Sequence, residues 1–297
     1  MSKNFSISLI LITRNRYSEL CETLLGLKKQ DTDFDLIVVD NGSENWSPEA
    51  VTENWPEATV VELGSNKGVG GGRNEGMKLA TGDIFVFLDD DASFRDSNAL
   101  SRIKTKFQEN QNLGILATNA YLTSSGQPEY AAIPRRDKKI FENDHQTSYF
   151  CGVGFALRQD LIKEIGYFFE EYFYSCEELD FSWRAIEHGY QILWAADIVV
   201  LHRRSPVERG PGRWIYYSAR NRMWLALRLL PWRYVVSYGI LWWGFLSVKS
   251  ITNLSMLDFI RGVVDCIAGS ANILRDRNVL SNATLEIIRS NNGRLLY

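Results

Sequence analysis

Short apolar runs alternate with polar, glycine-bearing or amphipathic stretches through the first two-thirds of the chain. Residues 6–13 are apolar and β-branched over the length of a strand, the pattern of a strand buried on both faces. Arg14-Asn15-Arg16 is a polar turn, after which Leu20, Leu24, Leu25 and Leu27 recur at helical spacing. Residues 36–40 predict a second buried strand that ends in the turn Asn41-Gly42-Ser43, and residues 59–62 a third, weaker one. A glycine-rich loop is expected over 64–72, a helix over 73–80, and a strand over 84–88 that runs straight into Asp89. This alternation predicts an α/β fold with a mostly parallel sheet, in which ligands gather at the carboxyl ends of the strands. Three polar groups fall there: Thr13-Arg14, Asp40, and Asp89-Asp90-Asp91.

Farther on, residues 112–175 read as short strands mixed with polar loops. Gly152-Val153-Gly154 leads into an apolar segment at 155–157, followed by a short helix at 159–165, a helix over 177–187, and a strand over 192–201 that ends at His202. From residue 205 the character changes. Residues 205–297 carry 12 Lys and Arg against 5 Asp and Glu, and five of the nine tryptophans (Trp214, Trp224, Trp232, Trp242 and Trp243), although the whole chain has a net charge of -3. Basic charge with interfacial aromatics suits a membrane surface carrying anionic lipid. Residues 234–248 are largely apolar but only fifteen long, short of the about 20 a spanning helix needs. They fit a core or dimer helix, or a helix lying in a membrane interface.

The 297 residues suffice for one large α/β domain, or one domain with an appendage. The division read from the composition is 1–204 and 205–297. At 45% hydrophobic and 23% charged residues the chain is ordinary for a globular protein. Cys21, Cys151, Cys176 and Cys266 form neither a zinc knuckle nor a CxxC pair. With no signal-peptide pattern at Met1-Ser2-Lys3-Asn4, the expected compartment is the cytoplasm, at the inner face of the membrane if the tail binds lipid.

Three adjacent aspartates repel one another unless a cation compensates. A hard divalent ion such as Mg²⁺ does so, completing its shell with phosphate oxygens; a solvated turn is the alternative. The cluster Glu177-Glu178-Leu179-Asp180 stands at a helix start, where the dipole favours carboxylates. It also suits a general base for a sugar hydroxyl. His202, one of three histidines, offers a neutral nitrogen as a third metal ligand or is a structural residue. The glycines of residues 66–74 complete neither GxGxxG nor a Walker signature. Close backbone approach beside Arg73 still suits a diphosphate.

Five blocks in order resemble glycosyltransferase family 2, the inverting enzymes of the GT-A fold. They are Leu11-Ile12-Thr13-Arg14-Asn15; Val38-Val39-Asp40-Asn41-Gly42-Ser43; residues 66–76 with Arg73; Phe87-Leu88-Asp89-Asp90-Asp91; and Glu177-Glu178-Leu179-Asp180 followed by Arg184 and Gly189-Tyr190. The tail Tyr216-Tyr217-Ser218-Ala219-Arg220-Asn221-Arg222-Met223-Trp224 is similar to the rhamnosyltransferase and galactofuranosyltransferase group. The resemblance implies that Thr13, Arg14 and Asp40 border the nucleotide. Asp89 and Asp91 would serve the metal and the ribose-diphosphate, with Asp90 and Arg73 among the nucleotide-sugar contacts. Mg²⁺ or Mn²⁺ would be held by Asp91, Asp89 and His202. Glu178 falls at the catalytic base, where the family usually has an aspartate, with Glu177 and Asp180 as alternates. The implied partners are a nucleotide-sugar donor and a glycan or polyprenyl-linked glycan acceptor, not nucleic acid. The tail would serve peripheral membrane association or a homodimer. Two rivals are weighed: a sugar-nucleotide nucleotidyltransferase, for which residues 9–16 lack a glycine-rich basic signature, and a non-catalytic sugar-nucleotide-binding protein, against which the intact carboxylate set argues.

Overall fold

The computed structural model describes residues 4–205, 210–293 and 295. The amino-terminal half runs β1 (Ile7–Thr13), α1 (Tyr17–Leu27), β2 (Asp35–Asp40), α2 (Glu49–Thr52), β3 (Thr59–Glu62), α3 (Gly68–Leu79) and β4 (Ile84–Asp89). Its strands lie in the order β3-β2-β1-β4 and are parallel throughout. Then come β5 (Ala92–Phe94), α4 (Ala99–Glu109), β6 (Leu113–Leu122), β7 (His145–Thr147), β8 (Gly154–Arg158), α5 (Gln159–Ile165), α6 (Glu177–Glu187) and β9 (Gln191–His202). β8 enters antiparallel between β4 and β6, β6 and β9 run parallel, and β5 and β7 pair antiparallel with β9. The expected α/β fold, with a mostly parallel sheet flanked by helices, is thus present, and its described strands join in one nine-stranded sheet.

β1 explains why its sequence is apolar at nearly every position. Leu9 and Leu11 face α1 and α4, beside Leu20, Leu24, Ile103 and Phe107, whereas Ile10 faces the other layer with Met77, Phe155 and Phe181. Side chains alternate across a strand, so a sheet covered on both faces needs apolar residues at both parities.

The glycine run is not a loop from 64 to 72: α3 begins at Gly68. Gly68 has φ +76, and a Cβ there would stand 2.3 Å from the Phe173 carbonyl oxygen. Its role is conformational. Gly72 and Gly76 serve close packing instead, since their Cβ atoms would meet Ile12 Cγ2 at 2.9 Å and Ile10 Cγ2 at 2.5 Å. Clustered glycines signal a loop from local propensity, but here tertiary contact with β1 outweighs that cost.

β6 is a ten-residue strand where only short ones were expected. Gly114, Thr118 and Asn119 interrupt its apolar pattern. Each is accommodated inside: a Cβ on Gly114 would strike Tyr190, Thr118 Oγ1 donates to the Gly154 carbonyl at 2.7 Å, and Asn119 Nδ2 donates to the Ala196 carbonyl at 3.1 Å.

The carboxyl-terminal helices are α7 (Pro211–Leu229), α8 (Trp232–Thr252), α9 (Met256–Arg275) and α10 (Asn282–Ser290). They share one core with the sheet: Ile215, Leu225, Tyr238, Leu246 and Ile288 cluster with Phe155, Phe181 and Trp183. The apolar segment 234–248 lies inside α8, which buries Val235, Tyr238, Trp242 and Leu246 and exposes its other side. No described helix is long and apolar enough to cross a membrane.

Candidate active site

Register brings the predicted residues to one edge. Thr13 pairs with Asp40 across β1 and β2, Ile12 with Asp89 across β1 and β4, and Ala92 with His202 across β5 and β9. A cavity of about 360 Å³ opens there, lined by Thr13, Arg14, Arg16, Arg73, Asp89, Asp90, Glu129, Gly152, Glu177, Glu178 and His202 among others.

Ligand atoms of Asp89, Asp91 and His202 all lie within 4.8 Å of one another, and Asp89 and His202 line the cavity. His202 is buried, with Nε2 at 3.2 Å from Asp91 Oδ1 and Nδ1 at 2.6 Å from Glu129 Oε2. A carboxylate behind Nδ1 fixes the ring and its tautomer, and so aims Nε2 at the cluster. Burial opposes the His202 imidazolium, yet hydrogen bonds to Asp91 and Glu129 and the nearby charge of Asp89 raise its pKa to about 9. Burial and Asp91 push Asp89 up to about 6, against the pull of Arg73. Burial likewise lifts Asp90 to about 7, although Arg16 Nη1 donates to its Oδ1 at 3.0 Å. Two raised carboxyls and a histidine that compensates by holding a proton describe a site short of positive charge. A divalent ion fits that donor set and would take the place of the Nε2 proton.

α6 brings Glu177 and Glu178 to the same cavity. Glu178 Oε1 accepts from Arg73 Nη1 at 3.0 Å, Arg73 Nη2 donates to the Gly152 carbonyl at 3.1 Å, and Nη2 lies 3.9 Å from Asp89 Oδ1. The buried guanidinium stacks near the Phe155 and Phe168 rings, 5.0 and 5.7 Å from their centroids. Arg73 is therefore a rigid bridge between the acidic triplet and Glu178. Gly152 has no room for a side chain: a Cβ would sit 2.3 Å from Arg73 Nη2 and 2.5 Å from Glu178 Oε1.

Glu177 lines the same cavity but is buried, and its Oε2 has no hydrogen-bond partner among the described residues. Burial and the charge of Glu178 raise it to about 8. Asp180 does not line the cavity. It accepts from Arg184 Nε at 2.7 Å, from the Tyr172 hydroxyl at 3.2 Å and from Arg228, tying α6 to α7. Asp40 is buried with its carboxylate on the Ser43 amide and hydroxyl, outside the cavity lining. Thr13 lines the cavity, and Arg14 Nε donates to the Gly42 carbonyl at 3.3 Å.

The turn that presents Glu177 and Glu178 is held under strain. Phe173, Ser175 and Cys176 all have positive φ, a conformation costly for side chains of this kind. Asn221 Nδ2 donates to the carbonyls of Tyr172, Tyr174 and Ser175, and Arg220 Nη2 to those of Glu171 and Tyr172. The Arg220-Asn221 pair of the tail thus clamps this turn. Sequence reading singled out neither that function nor Glu129, Arg16 and Gly152. Glu129 lies 73 residues from its histidine and in no periodic segment, so no local signal marked it.

The glycosyl transferase family 2 model matches residues 8–166, more than half of the chain. The chain belongs to glycosyl transferase family 2. That match spans the acidic triplet and Arg73 and stops short of Glu178 and His202. Among similar proteins is the uncharacterized glycosyltransferase YwdF of Bacillus subtilis, 28% identical over 170 residues, which are 54% of this chain and 61% of that protein. A GalNAc(5)-diNAcBac-PP-undecaprenol beta-1,3-glucosyltransferase of Campylobacter jejuni is 26% identical over 175 residues, 56% of each chain. This chain therefore spans less than two-thirds of the length of either relative. A mannosyltransferase of Pyrobaculum calidifontis, solved in complex with GDP-Man and Mn²⁺, superposes with a TM-score of 0.60 at 18% identity, over 100% of this chain and 82% of that one. The likeness establishes the GT-A-like fold of this family 2 chain.

Proposed function

We propose that the chain is an inverting, metal-dependent glycosyltransferase. It would move a rhamnose-, galactofuranose- or hexose-type sugar from a nucleoside diphosphate to a hydroxyl of a growing cell-surface glycan. The observation that carries this reading is a single cavity lined by Asp89, His202 and Glu178, with Asp91 clustered on the first two and Arg73 between Asp89 and Glu178. Glu178 accepts the proton of the acceptor hydroxyl, which a carboxylate within hydrogen-bond reach can do. Glu177, held neutral, adds no second negative charge beside it. Arg73 and Arg16 bring fixed positive charge to the diphosphate side, where a leaving group gains charge in a dry, preorganised site. Thr13, Arg14 and Asp40 border the nucleotide; a base edge would compete with Ser43 for Asp40. Asp91, Asp89 and His202 would hold Mg²⁺ or Mn²⁺, which would supply Lewis-acid stabilisation of the charge on the nucleoside diphosphate. One carboxylate base and a single displacement invert the anomeric centre.

A thermal-shift screen of nucleotide sugars with Mn²⁺ or Mg²⁺ tests this. A matched donor at 100 times its dissociation constant should stabilise the fold by about 2.7 kcal/mol, and transfer to a saccharide acceptor should follow. Nucleoside triphosphate consumption with release of pyrophosphate would instead mark a nucleotidyltransferase. Donor binding without transfer or hydrolysis would leave a non-catalytic binding protein.

We further propose that this enzyme works at the cytoplasmic face of a membrane on a lipid-linked acceptor, the chemistry named for the Campylobacter relative. The outer sides of α8 and α9 support this. Leu254 at their turn is 97% exposed and Leu257 76%. Val236, Ile240, Val248, Ile251, Ile260, Val264 and Ile267 continue an exposed apolar face, with Lys249, Arg261 and Arg275 exposed among them. Because the tail shares the main core, substitution tests the surface better than truncation. Leu254→Glu with Leu257→Glu should cut recovery of the full chain in flotation with anionic liposomes by more than fivefold. Equal recovery would refute the lipid contact. A concentration-dependent dimer lost in the same variant would assign the surface to a second subunit.

A further inference from the structure

A second cavity, of about 220 Å³, adjoins the first. Tyr149, Phe150, Leu179, Cys176 and Arg222 line it, and the two cavities share Cys151, Gly152 and Glu178. Glu178 thus borders both. Asp89 and His202 line the first cavity and not the second, so with the donor at that cluster the second cavity is the one left for the acceptor beside Glu178.

Arg222 is the unexplained group here. It is 7% exposed and its Nε is buried with no hydrogen-bond partner, while its guanidinium carbon lies 3.5 Å from the Trp242 ring centroid. Among the described residues it makes no ion pair. The neighbouring arginines all have partners: Arg220 holds two backbone carbonyls, Arg228 holds Asp180, and Arg73 holds Glu178. Glu178 lines the same cavity without pairing with Arg222, and Cys176 is lifted to about 11 by burial although Arg222 pulls it down. A buried guanidinium costs free energy unless it is paired and hydrogen-bonded. Stacking on an indole attracts the cation but satisfies none of its five donors.

We propose that this cavity is an acceptor subsite in which Arg222, backed by Trp242, binds an anionic group of the acceptor, a phosphate or a carboxylate. A planar guanidinium grips either one through two parallel hydrogen bonds. The assignment of the cavity to the acceptor rests on the proposed transferase reading; the anion site itself does not.

The test is calorimetric titration of the full chain, in EDTA and without donor, with methyl phosphate in one arm and methyl glucuronoside in the other. Saturable binding of one anion is expected, weakened at least tenfold in Arg222→Met and several-fold in Arg222→Lys. The lysine keeps the charge over Trp242, so it serves if the methionine variant does not fold. The arm that binds tells a phosphate-bearing acceptor from an acidic sugar. No binding in either arm, or equal affinity in wild type and folded variants, would overturn the proposal. Failure of sugar transfer would not, because the titration needs neither donor, metal nor turnover.

Discussion

Glu178→Gln is expected to lower sugar transfer by about 10²- to 10⁴-fold, the usual contribution of a positioned general base, and to leave donor binding in place. The amide keeps an oxygen that accepts from Arg73, now 3.0 Å from Glu178 Oε1, so the bridge to Asp89 persists while the proton acceptor is gone. Glu177→Gln is the matched control. Burial already holds that carboxyl up at about 8, so a neutral amide reproduces its state at pH 7, and transfer should fall less than tenfold. Single-turnover rates with donor affinity measured separately check both. Transfer by Glu178→Gln at the wild-type rate would remove Glu178 from the role, and a large loss confined to Glu177→Gln would give that role to Glu177.

Asp91→Asn should abolish metal-dependent stabilisation. Asp91 is fully buried, sits 3.2 Å from His202 Nε2, and has its other oxygen on the Ser205 amide at 2.6 Å. Asparagine can keep the Ser205 contact while removing one of the two charges in the cluster. Mn²⁺ at 100 times its dissociation constant raises stability by about 2.7 kcal/mol in wild type, and that increment should vanish. Glu129→Gln acts one step removed: it leaves all three ligands and weakens the carboxylate behind His202 Nδ1, a change that costs about 10- to 100-fold in metal affinity. Mn²⁺ titrations followed by electron paramagnetic resonance rank the three proteins. Wild-type affinity in Asp91→Asn would rule out the cluster as the metal site.

The strands before Asp89 and the helix at 177–187 were legible because each is a strongly periodic or uniformly apolar run. The sheet order of an α/β chain then brings Thr13, Asp40 and Asp89 to one edge. The acidic triplet, Glu177-Glu178 and His202 were legible as chemistry, since three adjacent carboxylates and a strand-terminal histidine carry their electrostatics in their residue types. Other features had no local trace. The glycines read as a loop became the first turns of α3, because only contact with β1 and the Phe173 carbonyl reveals why they lack side chains. Among the three carboxylates offered as base, the family resemblance put Glu178 first with Glu177 and Asp180 as alternates, and spacing alone could not rank them. Packing separated them: Asp180 went to Arg184 and Arg228, Glu177 into a desolvated wall, and Glu178 to the boundary of two cavities. The sequence alone determined the α/β order and the stock of charged groups, since periodicity and residue type are local properties. The tertiary structure alone decided which group holds, faces or neutralises which, because those pairings cross 73 residues from Glu129 to His202 and 105 from Arg73 to Glu178, and depend on burial that no window of sequence contains.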